Sequence, residues 1–174
     1  MNNLRIGWAE TDITPNKKVS LVGQFAERIS EYVEKPITVT AMALSTDDEQ
    51  AVLCSCDLVG MSQGLVREVR AALADNKLGL DPVKVIISAT HIHTGPGYAW
   101  RCTALEMNNG GDSGFARLRD LLEKELPEGR KYAEFANITE NPEVATDDEM
   151  LVFLSKRIAE CILTAWAGRV PGNF

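Results

Sequence analysis

The sequence predicts an α/β protein: a mixed sheet containing a βαβ unit, with flanking helices. Three observations carry this. Runs of strand length rich in β-branched and apolar residues recur at 37–44, 51–56 and 83–89. An amphipathic helical pattern at 62–75 separates the last two, the order of a parallel crossover. A second apolar stripe of helical period runs through 146–165.

The elements follow in order. Residues 4–10 alternate as a first strand, which Thr11-Asp12-Ile13-Thr14-Pro15 then breaks, because Asp and Pro both favour a turn. Residues 19–25 read as a loop or short strand containing Gly23, and 27–33 as a loop or one helical turn. Ile37 to Leu44 is a strand, Ser45 to Gln50 a polar turn, and Ala51 to Cys56 its hairpin partner. Ser62 can cap the next helix, whose Leu65, Val66, Val69, Ala72 and Leu73 share one face. Val83 to Ala89 is a short apolar strand after Asp81-Pro82.

Residues 98–145 read mostly as a long loop with one helical pattern at 115–126. Tyr98 and Trp100 either line a pocket there or pack the loop onto the body. Thr146 and Glu149 make a capping-box signature, followed by the stripe Met150, Leu151, Leu154, Ile158, Cys161, Ile162 and Ala165. Gly168 and Pro171 end it.

With 174 residues the chain is expected to form a single domain with a sizeable core. Its formal net charge of -7 argues against nucleic-acid binding, which needs a concentrated basic face, and against docking on anionic lipid. No apolar run approaches the ~18 residues of a membrane span. The N-terminus lacks the charged-then-apolar layout of a secretory signal, so a cytoplasmic location is expected. Cys54, Cys56, Cys102 and Cys161 fit no usual zinc spacing and read as packed free thiols.

The chemistry concentrates in Ser88-Ala89-Thr90-His91-Ile92-His93-Thr94-Gly95-Pro96-Gly97. His91 and His93 are the two histidines of the chain, and both stand at the C-terminal end of an apolar strand. Parallel sheets place ligand sites at that end. On extended backbone a His-x-His pair puts both imidazoles on one side. Imidazole is a common metal ligand and an acid/base near neutral pH; the bland alternative is a strand cap bonded to loop carbonyls. Gly95-Pro96-Gly97 allows a sharp turn and close approach to a ligand.

Asp57 leaves the strand before the helix. If the two strands are parallel, topology delivers Asp57 and His91 to the same rim. Asp57 can then orient a histidine, bind a metal directly, or cap a turn. The candidate metal ligands are His91 and His93, and the candidate catalytic residues are His93 and Asp57.

Four stretches together resemble the N-terminal part of the neutral/alkaline (non-lysosomal) ceramidase family. Ile6 to Pro15 is similar to that family's G-x-A-x-x-D-I-T-P opening, and Pro36 to Leu44 to the strand that follows. Cys56-Asp57-Leu58-Val59-Gly60 is similar to its D-L-x-G strand end. Ser88 to Gly97 resembles its S-A-T-H-T-H-S-G-P motif.

The resemblance implies the N-terminal part of a larger catalytic domain of a zinc hydrolase that cleaves an N-acyl amide, with a sphingolipid as the family substrate. It implies that His91 is a zinc ligand and that His93 sits beside the metal, near substrate or the developing oxyanion. Zinc supplies Lewis acidity and lowers the pKa of a bound water to about 7. A catalytic zinc takes about three protein ligands, and the family's further ligands lie downstream of the matching stretches. Two readings follow: a partial zinc-dependent amidohydrolase, or a non-catalytic fragment that needs downstream residues or a partner chain. A third, weaker one has Asp57, His91 and His93 alone hold the ion. A partial domain is also expected to expose apolar surface and self-associate.

Overall fold

The structure, a computed structural model, describes residues 3–23, 28–98 and 141–172. Strand β1 (Arg5–Asp12) pairs antiparallel with β4 (Thr38–Ser45), and β4 forms a hairpin with β5 (Gln50–Cys56). Strand β5 pairs in parallel with β6 (Val85–Ala89), and β7 (Val170–Pro171) borders β1. These five make one mixed sheet in the order β6-β5-β4-β1-β7. A separate antiparallel pair is formed by β2 (Ser20–Leu21) and β3 (Arg28–Ile29).

The crossover from β5 to β6 is α1 (Gln63–Ala74), capped as its sequence predicts: the Ser62 hydroxyl accepts from Leu65 N. Leu65, Val69 and Leu73 are its buried stripe, each worth about 1.5–3 kcal/mol when fully buried. The final helix, α2 (Asp147–Ala167), opens with the expected capping box between Thr146 and Glu149. It buries Met150, Leu154, Ile158, Cys161, Ile162 and Ala165.

Both helices join one core with the sheet face carrying Val39, Ala41, Ala43, Val52, Cys54 and Cys56. Helix α2 lies directly on β1 because residue 7 is glycine: a Cβ there would stand 2.0 Å from the Ala165 carbonyl oxygen.

The opposite sheet face is uncovered by the described residues and carries an apolar patch beside the polar row Glu10, Thr40, Ser55 and Ser88. Register aligns Trp8, Met42, Leu53 and Ile86 in one row across four strands. Trp8, Leu53 and Ile86 are 64%, 42% and 60% exposed. Ile6, Leu44 and Ala51 make the next row, with Val170 beyond Ile6. Among the described residues no helix is long and apolar enough to cross a membrane.

Three boundaries differ from expectation. Strand β1 continues to Asp12, and only then does Thr14 N donate to Asp12 Oδ1 at 2.7 Å to turn the chain. Of the stretch read as a loop or one helical turn, Arg28–Ile29 form the short strand β3 and 30–33 are irregular. Strand β6 starts at Val85, because Pro82–Lys84 form a 3-10 turn capped by the Asp81 side chain. The expected helix at 115–126, Trp100 and Cys102 lie outside the described residues.

Candidate metal centre

Parallel pairing brings the ends of β5 and β6 together, with Cys56 beside Ala89. Backbone bonds then zip the two exits. Thr90 N donates to Cys56 O at 2.9 Å, and Leu58 O accepts from His91 N at 3.0 Å and Ile92 N at 3.2 Å. Asp57 and His91 therefore emerge on one rim, as the βαβ reading predicts.

The histidine pair does not lie on extended backbone. Strand β6 has ended at Ala89, and His91 has φ +65°, the one positive value at a non-glycine among the described residues. A left-handed L-residue costs about 1–2 kcal/mol. Such strain persists where surrounding bonds over-determine it, as at functional sites. The imidazoles converge through this kink rather than through strand alternation.

Each ring is held by one carbonyl. His91 Nδ1 lies 2.6 Å from Val59 O, and His93 Nδ1 lies 2.6 Å from Gly23 O. A carbonyl oxygen can only accept, so in the neutral rings both Nδ1 atoms carry the proton. Both Nε2 atoms are then bare acceptors, and they face each other at 3.4 Å. The rings are nearly perpendicular, with centroids 5.0 Å apart. Two imidazole nitrogens on one tetrahedral ion, each about 2.0–2.1 Å from it, stand about 3.3–3.4 Å apart. Two opposed lone pairs with no hydrogen between them call for a proton or a cation.

The loop carrying the pair is clamped from the β2–β3 side. Gly97 N donates to Ser20 O at 2.8 Å, Val22 N to Gly95 O at 3.4 Å, and Leu21 bridges Pro96. Gly95-Pro96-Gly97 is thus buried against β2, with neither glycine at positive φ, instead of standing open to a ligand. Arg28 Nη2 donates to the backbone oxygen of His93 at 2.6 Å.

Asp57 is engaged elsewhere. Its Oδ2 accepts from Thr38 N at 3.0 Å and Thr38 Oγ1 at 3.3 Å, and its Oδ1 accepts from Thr90 Oγ1 at 3.0 Å. The carboxylate ties the start of β4 to the residue before His91. Its link to the imidazoles runs through Thr90.

Tyr98 is buried; its hydroxyl donates to Gly60 O at 2.5 Å and accepts from Ser62 N at 3.2 Å. Burial pushes its phenol pKa up. It packs the chain after the motif onto the start of α1. Cys54, Cys56 and Cys161 are buried free thiols. A hydrogen bond with Cys56, then burial, pushes the Cys54 thiol up, and burial does the same to Cys161.

No group of three or more His, Cys, Asp or Glu side chains able to hold a metal occurs among the described residues. The histidine pair fits two coordination positions of a zinc ion and leaves the others to residues outside this arrangement.

No family model and no curated protein matches this sequence. Solved structures do. The neutral ceramidase from Pseudomonas aeruginosa superposes with a TM-score of 0.67 at 20% identity, over 99% of this chain and 23% of that one. The chain has the fold of part of a neutral ceramidase. A ceramidase complexed with C2 gives 0.64 at 19% identity, over 99% of this chain and 22% of that one. The chain therefore spans less than a quarter of the ceramidases it matches.

Within this ceramidase-like fold, sequence reasoning found both histidines and Asp57 and missed what holds them. The Val59 and Gly23 carbonyls have no side-chain signature. Arg28 and Gly23 lie 65 and 70 positions from His93. The one available signal was Gly23 itself, a glycine just after the apolar pair Leu21-Val22.

Proposed function

We propose that this chain contributes the N-terminal part of a zinc-dependent hydrolase of N-acyl amides, ceramidase-like in type, with a lipid amide as substrate. The observation that carries the reading is the pair of bare Nε2 atoms facing each other at 3.4 Å, each ring locked through Nδ1. The likeness of fold to two ceramidases supports it.

His91 and His93 would hold the ion, which when bound supplies Lewis acidity toward the amide carbonyl. The chain's own part is preorganisation. The Val59 and Gly23 carbonyls set both tautomers and raise the basicity of each ring as a ligand. Asp57 holds Thr90, and so the backbone at His91, in register with β4. With Nδ1 on the Gly23 carbonyl and Nε2 turned to the ion, His93 would act by holding the metal beside substrate; it would contact a developing oxyanion itself only if Nε2 were left off the metal.

A specific observation favours a second reading, in which this chain alone is not catalytic. Two ligating groups among the described residues fall short of the about three protein ligands that catalytic zinc takes. The remaining ligands then come from residues outside the described ones, from further polypeptide or from a partner chain.

Elemental analysis of the purified chain, beside His91→Ala and His93→Ala, tests the metal. Near-stoichiometric zinc lost in both variants supports the site. No zinc in the wild type, even after its addition, overturns metal binding by this chain alone and leaves the second reading, in which these residues are half a site. Hydrolysis of a short N-acyl amide by the zinc-loaded chain separates the two readings, since the non-catalytic one predicts none.

A further inference from the structure

Resting on the histidine-pair reading above, we infer that Arg28 is a positioning residue for the site: its guanidinium anchors the backbone at His93 so that the imidazole stays on Gly23 and presents Nε2 to His91. Its Nη2 donates to His93 O at 2.6 Å, a charge-assisted bond of the stronger kind. Its Nε is buried and has no hydrogen-bond partner among the described residues. No carboxylate pairs with it among the described residues. An unpaired buried donor on a charged group lowers stability. A guanidinium kept for stability alone would have its donors satisfied, so the contact with His93 is what this placement provides.

Register explains how a residue 65 positions away reaches this loop. Arg28 pairs with Leu21 across the β2–β3 ladder, and Leu21 bridges Pro96. Gly23 follows β2 and Arg28 opens β3. The two strands thus grip His93 at opposite ends, Gly23 at the ring and Arg28 at the main chain. Removing the Arg28 bond frees the His93 backbone to rotate and takes Nδ1 away from the Gly23 carbonyl.

The test compares Arg28→Ala, Arg28→Gln and Arg28→Lys with the wild type, each checked for folding by circular dichroism. Long-range proton–nitrogen NMR spectra of metal-free protein read the tautomer of each ring. The expected result is that His93 leaves the pure Nδ1–H form in Arg28→Ala and Arg28→Gln, while His91 keeps it. Arg28→Lys, which retains a charged donor, restores the wild-type pattern at least in part. Zinc affinity falls about tenfold or more in the first two variants, the range for groups that orient a ligand. An unchanged His93 tautomer in the folded Ala or Gln variant overturns the inference. If the wild type binds no zinc, the metal reading fails, and the tautomer spectra still decide the role of Arg28. Should Arg28→Ala not fold, the Arg28→Gln spectra decide the question.

Discussion

Gly23 and His93, 70 positions apart, are fitted to each other: the carbonyl of Gly23 holds Nδ1 of His93 at 2.6 Å. Gly23 has φ +90°, and a Cβ there would stand 2.3 Å from that same Nδ1. No other residue type can offer its carbonyl in this way without displacing the ring. Gly23→Ala should therefore lower the melting temperature, by the about 1–2 kcal/mol of the left-handed backbone plus the clash. It should also weaken zinc binding by about tenfold or more. Calorimetry of the metal-free and zinc-titrated variant reads both. Wild-type zinc affinity in this variant would show that the contact does not orient the ring.

Asp57 separates a positioning role from a catalytic one. Asp57→Ala leaves the Thr38 N–H without its carboxylate acceptor and should cost about 1–3 kcal/mol. Asp57→Asn keeps an acceptor for Thr38 and a polar partner for Thr90, so it should cost less. If Asp57 acts on substrate, Asn should abolish amidase activity in the zinc-loaded protein while leaving denaturant stability nearly intact. The geometry predicts that activity and stability fall in parallel across the two variants.

The capping box of α2 predicts an acid limb in stability. The Thr146 N–H, and then Lys17, hold the Glu149 carboxyl below its ordinary value of 4.5. A carboxylate whose pKa is depressed on folding binds its proton more readily in the unfolded chain. Its contribution is thus present above the ordinary value and is lost as pH falls through the folded one. Glu149→Gln, which still caps the helix as an acceptor, should flatten the decline in melting temperature below about pH 4.5. An unchanged slope would assign that decline to other carboxylates.

The outer sheet face predicts self-association. Trp8, Leu53 and Ile86 present a continuous exposed row, and such patches mark contact surfaces. Sedimentation velocity should show the weight-average mass rising with concentration. Trp8→Glu or Ile86→Lys should return the chain to monomer with little change in melting temperature, because neither side chain lies in the helix-covered core. A strictly monomeric wild type at high concentration would contradict this.

Sequence alone determined β1, the β4–β5 hairpin, the βαβ unit and α2 to within two or three positions at most element ends, and left the β2–β3 pair, β7 and the place of β1 in the sheet unread. The reason is that strand and helix periods are local. Alternation in 37–44 and 51–56, the Ser62 cap and the Thr146–Glu149 box each act within a few residues, and the βαβ order leaves one sensible topology. The same locality exposed His91, His93 and Asp57, whose chemistry is written in their side chains. Only the tertiary structure decided how the pair is aimed. The kink at His91, the carbonyls of Val59 and Gly23, and the Arg28 bond to His93 are backbone geometry and long-range contacts. A carbonyl has no residue type, and register between distant segments exists only once the sheet has formed.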